Sequence, residues 1–403
     1  MSLSMLKNKK VILGISGGIA AYKIPFLIRY LIKAGAEVRV VATRNALELV
    51  SRVTLETLSK NRVYLEVFGA DNDYTTEHIS LTDWGDILVV APATANIIGK
   101  YASGIADDAL STTLLAFDKQ AIVVPAMNSK MYANFAVQKN IAYLKEQGVL
   151  FIEPGFGELA CGYEGKGRMA EPEEIFERTA FQLLKTKEFA GRRILVSASR
   201  TEEHLDPVRY VSNRSSGKTG FAIANNLALR GAEVILVAGP SQESVLPEVK
   251  RINVVTSKEM YEAVKAAFPD CDALIMAAAV ADYTFDQSEQ KIKKNDPVLT
   301  LTARKTNDIL QEMGLLKRNS QVLIGFALET EDLLNNGRKK LEKKNLDFIV
   351  LNQSTRDNPA FGTPDNQIAI LKRDGNVEWQ PLMDKSAIAA LINDRLLAEL
   401  LTK

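Results

Sequence analysis

The sequence predicts an α/β protein built from two three-layer domains, each around a parallel sheet. Three observations carry this. A strand, glycine turn, helix and strand fill residues 10–43, and the same grammar recurs from Arg193 to Val237. The segments AGAEVRVVAT (34–43) and RGAEVILVAG (230–239) occupy equivalent places in the two units. Further apolar runs at 87–90, 121–124, 273–276, 322–324 and 348–351 alternate with helical stretches, as buried parallel strands do.

In the first unit, Val11 to Ile15 is apolar and Ser16-Gly17-Gly18 breaks it. Ile19 to Lys33 has helical spacing, Gly35 stops the helix, and Glu37 to Ala42 returns as a strand. In the second, Arg193 to Ala198 is a strand, Gly217 to Gly220 a turn, Phe221 to Arg230 a helix and Glu233 to Val237 the next strand. An amphipathic helix over 171–184 and a polar hinge near 185–192 place the boundary, giving domains 1–188 and 189–403. The 403 residues suit two or three domains of about 100 to 200 residues each.

Composition excludes several classes of function. With 50 Lys and Arg against 49 Asp and Glu, the net charge of +1 provides no general field for nucleic acid or an anionic membrane. Two cysteines, Cys161 and Cys271, are too few for a disulfide framework or a cysteine zinc site, which points to a reducing, cytoplasmic setting. No run reaches the roughly 18 apolar residues of a membrane span, and no charged-then-apolar leader precedes the first strand. Met5 is expected to be the natural start.

The first turn, Gly14-Ile15-Ser16-Gly17-Gly18-Ile19-Ala20-Ala21, lacks the G-x-G-x-x-G spacing. The second strand ends in Thr43 and Arg44, where a dinucleotide site wants a carboxylate, so NAD is disfavoured. Backbone N–H groups at a helix start, with hydroxyls from Ser16 and Thr43, suit a single phosphate; a tight turn without ligand is the alternative. Ala91-Pro92-Ala93-Thr94-Ala95-Asn96, Asp108 to Thr113, and Pro125 to Tyr132 all follow strands, where open sheets bind ligands. Asn128 offers a donor and an acceptor, although an Asn in this position is also a common cap. His78 is a candidate base, or else structural. Cys161 sits in the glycine-dense stretch ACGYEGKGRM (160–169), which reads as a flap presenting a thiol.

Together, ISGGIAAYK, HISL, APATAN, PAMNSKMY and ACGYEGKGRM, in this order, resemble the flavin-dependent phosphopantothenoylcysteine decarboxylase domain, a flavodoxin-like or Rossmann-like flavoprotein fold. The resemblance implies FMN, with its phosphate near Ser16, Gly17, Gly18 and Thr43 and its ring near Ala93, Thr94 and Ser111. It implies substrate near Asn96, Asn128, Met131 and Arg168. Loss of carbon dioxide from a cysteine amide would leave an unstabilised carbanion, so the flavin first oxidises the thiol to a thioaldehyde that serves as electron sink. By this resemblance His78 assists the oxidation, Asn128 holds the departing carboxylate, and Cys161 supplies a proton when the hydride returns.

In the second unit, Ser212-Asn213-Arg214-Ser215-Ser216-Gly217-Lys218-Thr219-Gly220 ends like a Walker loop. Its first required glycine is Ser212, however, so a standard NTPase is rejected. The loop still suits phosphate or acyl-phosphate, or is simply a polar capped loop. Met276 to Tyr283 leaves a strand through small residues and reaches Asp282. Lys291, Lys293 and Lys294 form a flexible arm able to close over a triphosphate, or a solvated face. Lys340 and Lys344 share a helix face by their spacing.

DPVRYVSNRSSGKTG, AAAVADY, KIKK, GFALET and KKLEKKNLD resemble the phosphopantothenate–cysteine ligase domain, a second Rossmann-like unit fused to the decarboxylase in bacterial coenzyme A biosynthesis. The resemblance implies CTP as cosubstrate, with Mg2+ on its phosphates. The nucleotide would meet Met276, Ala277, Ala278, Asp282, Lys291, Asn307, Asp308, Ile309, Leu310, Phe326, Lys340 and Lys344. Asn213, with Ser215, Gly217 and Lys218, would serve the acyl-cytidylate formed from 4'-phosphopantothenate before L-cysteine displaces CMP. The family implies a trimer-based homo-oligomer extending to a dodecamer. Two departures stand out: SASRTE (197–202), where relatives commonly carry glycine or proline before the threonine, and Thr306-Asn307-Asp308 in place of a proline-containing step. A flavin-binding regulatory protein that inhibits phosphatases is the competing reading; the presence of His78, Asn128 and Cys161 and the absence of an acidic tail weigh against it.

Overall fold

The computed structural model describes residues 5–65, 77–158, 164–293, 299–329, 331–353 and 365–403, with backbone only at Glu77, His78, Glu158 and Gln353. The chain divides into two compact units, Met1–Leu184 and Lys185–Lys403. Cys161 and Lys294 lie outside the described residues.

The first unit is a six-stranded parallel sheet in the order Val63–Tyr64, Glu37–Ala42, Lys10–Ile15, Ile87–Ala93, Gln120–Pro125, Leu150–Phe151. Alternate side chains leave opposite faces of a strand. Val11, Leu13 and Ile15 therefore join a core with the helices Ile24–Lys33 and Pro172–Leu184, while Ile12, Leu88 and Val90 join another with the helix Ala109–Ala116. These strands read as unbroken apolar runs because both faces are covered.

The second unit repeats the plan with eight strands, in the order Lys250–Asn253, Glu233–Ala238, Arg193–Ala198, Ala273–Met276, Val322–Glu329, Phe348–Gln353, Ile368–Lys372, Val377–Trp379. The first six pair in parallel, and the last two add an antiparallel edge. That edge turns at Asp374-Gly375, with Gly375 at φ +86 and Lys372 N–H bonded to the Asn376 carbonyl at 2.9 Å. Cys271 is free and buried, and burial pushes its thiol up to about 11.

Two expected elements differ. The helix expected from Phe221 spans Lys218–Leu229, because Gly217, at φ +87, is its cap and Lys218 to Gly220 form its first turn. Half of the expected glycine flap is a strand, Glu164–Arg168, paired antiparallel with Gly155–Glu158. Its glycines serve close packing: a Cβ on Gly167 would come within 2.3 Å of the Met127 carbonyl, whose own N–H donates to the Gly167 carbonyl at 3.0 Å.

One buried ion pair fastens the parallel strands of the second unit. Asp347 accepts from Lys317 Nζ at 3.0 Å, Lys403 Nζ at 2.6 Å and the Leu323 N–H at 2.7 Å, and the Lys317 and Asp347 side chains are each only 6% exposed. Asp347→Ala would strand a buried ammonium. It is expected to cost about 3–5 kcal/mol, read as a lower denaturation midpoint for the second unit with the first unchanged.

Candidate functional site

In the first unit the site forms where the first and fourth strands end side by side. The Ser16 hydroxyl donates to the Pro92 carbonyl at 2.7 Å, lies 3.2 Å from the Thr94 hydroxyl and accepts the Thr94 N–H at 3.0 Å. This clasp shapes one wall of a cavity of about 1980 Å³, which is also lined by Gly17, Gly18, Thr43, Asn96, Asn128, Met131 and Arg168. Residues of four of the five sequence motifs are thus brought together, and HISL contributes none to the lining. No side chain caps the turn at Gly18, and the Thr43 hydroxyl oxygen is buried without a hydrogen-bond partner. An orphaned buried hydroxyl beside an uncapped turn fits the phosphate of a bound nucleotide.

Asn128 caps the helix Ser129–Ala133, its Oδ1 accepting the Lys130 N–H at 2.8 Å, and still lines the cavity. Two expected residues fall elsewhere. Ser111 is buried in a capping box with Asp108, its hydroxyl held by Asp107 and Asp108; Ala109 and Thr112 line the cavity instead. Ala93 is core, with its carbonyl accepting the Ala126 N–H at 2.9 Å. His78 lies on the helix Glu77–Trp84, and its side chain falls outside the described residues, as does Cys161.

The cavity also gathers charged side chains into ion pairs. Lys23, only 8% exposed, donates to both oxygens of Glu171 at 2.9 Å, and Arg168 joins the same carboxylate at 2.8 Å. Lys23 holds the Glu171 carboxyl below its ordinary value. Lys100 pairs with Asp107 at 2.6 Å and Asp108 at 2.9 Å, which raise its pKa. A signal was present for Lys100, which stands one helical turn after Asn96 on Ala95–Ser103.

In the second unit the loops after Arg193–Ala198 and Ala273–Met276 run together. Ser197 Oγ accepts the Ala278 N–H at 3.2 Å, the Ser199 carbonyl accepts the Ala279 N–H at 2.7 Å, and Asn213 Nδ2 donates to the Ala279 carbonyl at 2.9 Å. Ser199, a non-glycine residue at φ +72, is secured by its hydroxyl on the Pro240 carbonyl at 2.6 Å. Arg200 reaches back to the Ser215 carbonyl at 3.2 Å and to Glu202 at 3.1 Å.

Ser215 Oγ accepts the Gly217 N–H at 3.3 Å, next to Lys218 in the first helical turn. Thr306 bonds the Asp282 carbonyl through its N–H at 3.0 Å and the Ala281 carbonyl through its hydroxyl at 2.7 Å, so Asp282 meets the Asn307-Asp308 step. Asp308 caps the helix Ile309–Leu316, which carries Leu310, and pairs with Lys344 at 2.9 Å. Lys344 is the cap of Leu333–Lys343 rather than part of its face. Lys340 pairs with Glu329 at 2.6 Å, at the end of the strand bearing Phe326.

Residues 1–184 match the family model described as Flavoprotein, and residues 189–400 match the DNA/pantothenate metabolism flavoprotein C-terminal domain. The coenzyme A biosynthesis bifunctional protein CoaBC of Bacillus subtilis (strain 168) is 44% identical over 396 residues, covering 94% of this chain and 95% of that one. The chain belongs to the CoaBC family. The CoaBC protein of Vibrio parahaemolyticus is 41% identical over 397 residues, covering 98% of this chain and 99% of its own. Among solved structures, the C-terminal domain of a CoaBC protein aligns at 34% identity and a TM-score of 0.47, over 54% of this chain and all of that one. As a member of this family the chain is a bifunctional enzyme of coenzyme A biosynthesis, with a flavoprotein decarboxylase half and a ligase half. Among the described residues, no helix is long and apolar enough to cross a membrane.

Thr43→Val should weaken flavin mononucleotide binding by about tenfold, the loss of one hydrogen bond to a charged group. It should leave the apoprotein at least as stable, since a buried unpaired hydroxyl is removed. Flavin fluorescence titration and apoprotein melting check the two halves; undiminished affinity would show that the hydroxyl does not meet the phosphate.

Proposed function

We propose that the domain 1–188 decarboxylates 4'-phosphopantothenoylcysteine with FMN, and that the domain 189–403 makes that compound from 4'-phosphopantothenate, L-cysteine and CTP. The observation that supports this reading best is the cavity that joins Ser16, Thr43, Thr94, Asn128 and Arg168 around the orphaned Thr43 hydroxyl.

Ser16, Gly17, Gly18 and Thr43 would hold the FMN phosphate, with Thr94 toward the ring. Bound FMN supplies a two-electron acceptor that a cysteine amide lacks. The residues of the chain bind, orient and move protons around it. His78 serves the oxidation as base or orienting group, Asn128 orients the carboxylate that leaves, and Cys161 protonates the enethiolate carbon. Lys23 and Arg168, already sharing Glu171, set a cationic edge suited to an anionic substrate.

In the ligase half, Asp282, Asn307, Asp308, Lys291, Lys340 and Lys344 would meet CTP, and Asn213, Ser215, Gly217 and Lys218 the acyl-cytidylate. Among the described residues no group of three or more His, Cys, Asp or Glu side chains could hold a metal. Mg2+ would arrive on the nucleotide's phosphates, as in the resemblance to the ligase domain, where it and the lysines would offset charge during attack. A trimer-based assembly extending to a dodecamer, in the cytoplasm, completes the reading.

An assay with 4'-phosphopantothenate, cysteine and either CTP or ATP, following pyrophosphate and carbon dioxide separately, tests both halves. CTP should support pyrophosphate release, and the ATP arm measures whether the site takes a second nucleotide. Cys161→Ser should retain bound flavin and release carbon dioxide while accumulating the oxidised enethiol; normal formation of 4'-phosphopantetheine would remove Cys161 as proton donor. Lys291→Gln should cripple ligation and spare decarboxylation, and equal loss of both would contradict its placement at the nucleotide.

A further inference from the structure

Asp206 lies in the turn between the paired strands Glu202–His204 and Tyr210–Ser212, and it is fully buried. Its two carboxylate oxygens do different work. Oδ1 accepts the N–H groups of Val208 and Arg209, both at 2.8 Å, and so closes the turn. Oδ2 accepts Arg209 Nε at 3.0 Å, an Arg209 Nη at 2.6 Å and the Ile292 N–H at 3.1 Å. The Arg209 guanidinium completes the circuit by donating to the Ile292 carbonyl at 2.8 Å. A further bond, from the Ser288 N–H to the Leu205 carbonyl at 2.9 Å, ties the same two segments.

Ile292 is therefore held at both of its backbone polar groups, and its neighbours Lys291 and Lys293 are exposed. Fixing the N–H and the C=O of one residue fixes the peptide planes on either side of it. The Cα atoms of the flanking lysines, which lie in those planes, are placed with them. The charged heads are left in water, so little desolvation is paid before an anion arrives. The same hairpin runs directly into Asn213, whose amide reaches the Ala279 carbonyl. One buried carboxylate thus sets the spacing between Asn213 and the lysine arm. The Arg209 guanidinium holds the Asp206 carboxyl far below the ordinary carboxylate range, so the clamp is charged at any physiological pH.

We infer that Asp206 is a positioning residue for ligation: it clamps the Ile292 peptides, with Arg209, so that Lys291 meets the nucleotide phosphates from the hairpin that carries Asn213. This rests on the reading that Lys291 contacts the nucleotide.

The test uses the full chain, with pyrophosphate release under varied CTP. Asp206→Asn can keep its oxygen toward the turn, but it places an amide NH2 where Oδ2 met three donors, so it releases the arm selectively. The KM for CTP should rise about tenfold, as expected for loss of charged hydrogen bonds, with the KM for 4'-phosphopantothenate and the rate of decarboxylation unchanged. Arg209→Gln, at a half-exposed side chain that tolerates change, should give the same split and carries the test if Asp206→Asn fails to fold. In a Lys291→Gln background, Asp206→Asn should add nothing. If the two losses multiply, or if both KM values move together, Asp206 is merely structural and the inference falls. Loss of ligation in Lys291→Gln with unaltered Asp206→Asn and Arg209→Gln would overturn this inference alone. Normal ligation in Lys291→Gln would overturn the placement of Lys291 and, with it, the clamp.

Discussion

Both units depend on how the chain leaves the first and fourth strands of a parallel sheet ordered three-two-one-four. The helices that follow these neighbouring strands pack on opposite faces, so a crevice opens between them at the carboxyl edge. Backbone groups there have lost their ladder partners and need others. In the first unit Ser16 provides them, bonding the Pro92 carbonyl and the Thr94 N–H. In the second the task is shared: Ser197 takes the Ala278 N–H, Thr201 takes the Ala281 N–H at 3.0 Å, and Asn213 gives to the Ala279 carbonyl. Small residues at these edges keep the crevices open, and hydroxyls keep their walls hydrogen-bonded.

The strands were legible because burial on both faces forces continuous apolar runs. Glu37–Ala42, Arg193–Ala198 and Ala273–Met276 stand where the pattern put them. What escaped the pattern has specific causes. Ile368–Lys372 and Val377–Trp379 form an antiparallel edge hairpin rather than a strand–helix repeat, and the second strand, three residues long and only partly covered, leaves no apolar run. The glycines of Glu164–Arg168 suggested looseness, but they answer to the close approach of Met127, a contact that no local pattern reveals.

The site was legible to the extent that its residues sit in motifs after strands. Thr43, Asn128 and Arg168 meet across one cavity although they come from separate segments of sequence. The motifs did not reveal which hydroxyl remains open. Ser16 and Thr43 look alike in sequence, yet Ser16 is spent on the clasp and Thr43 is not. Ser111 illustrates the converse, since a helix capped by Asp108 draws its third residue into a capping box and out of the cavity lining.

Charge pairing separates holding from binding. Around the two crevices four lysines are paired with carboxylates that are partly open to water: Lys23 with Glu171, Lys100 with Asp107, Lys340 with Glu329 and Lys344 with Asp308. The lysines of the first two pairs are themselves largely covered, at 10% and 17% exposure, while Glu171 and Asp107 are more than half open, so each pair keeps one end in water. Meanwhile they keep like charges from repelling and hold long side chains in place. The Lys317–Asp347 pair has the same chemistry at 6% exposure, and there no anion can compete. Burial, more than the identity of the residues, decides which ion pairs are sealed into the scaffold and which keep an end in water.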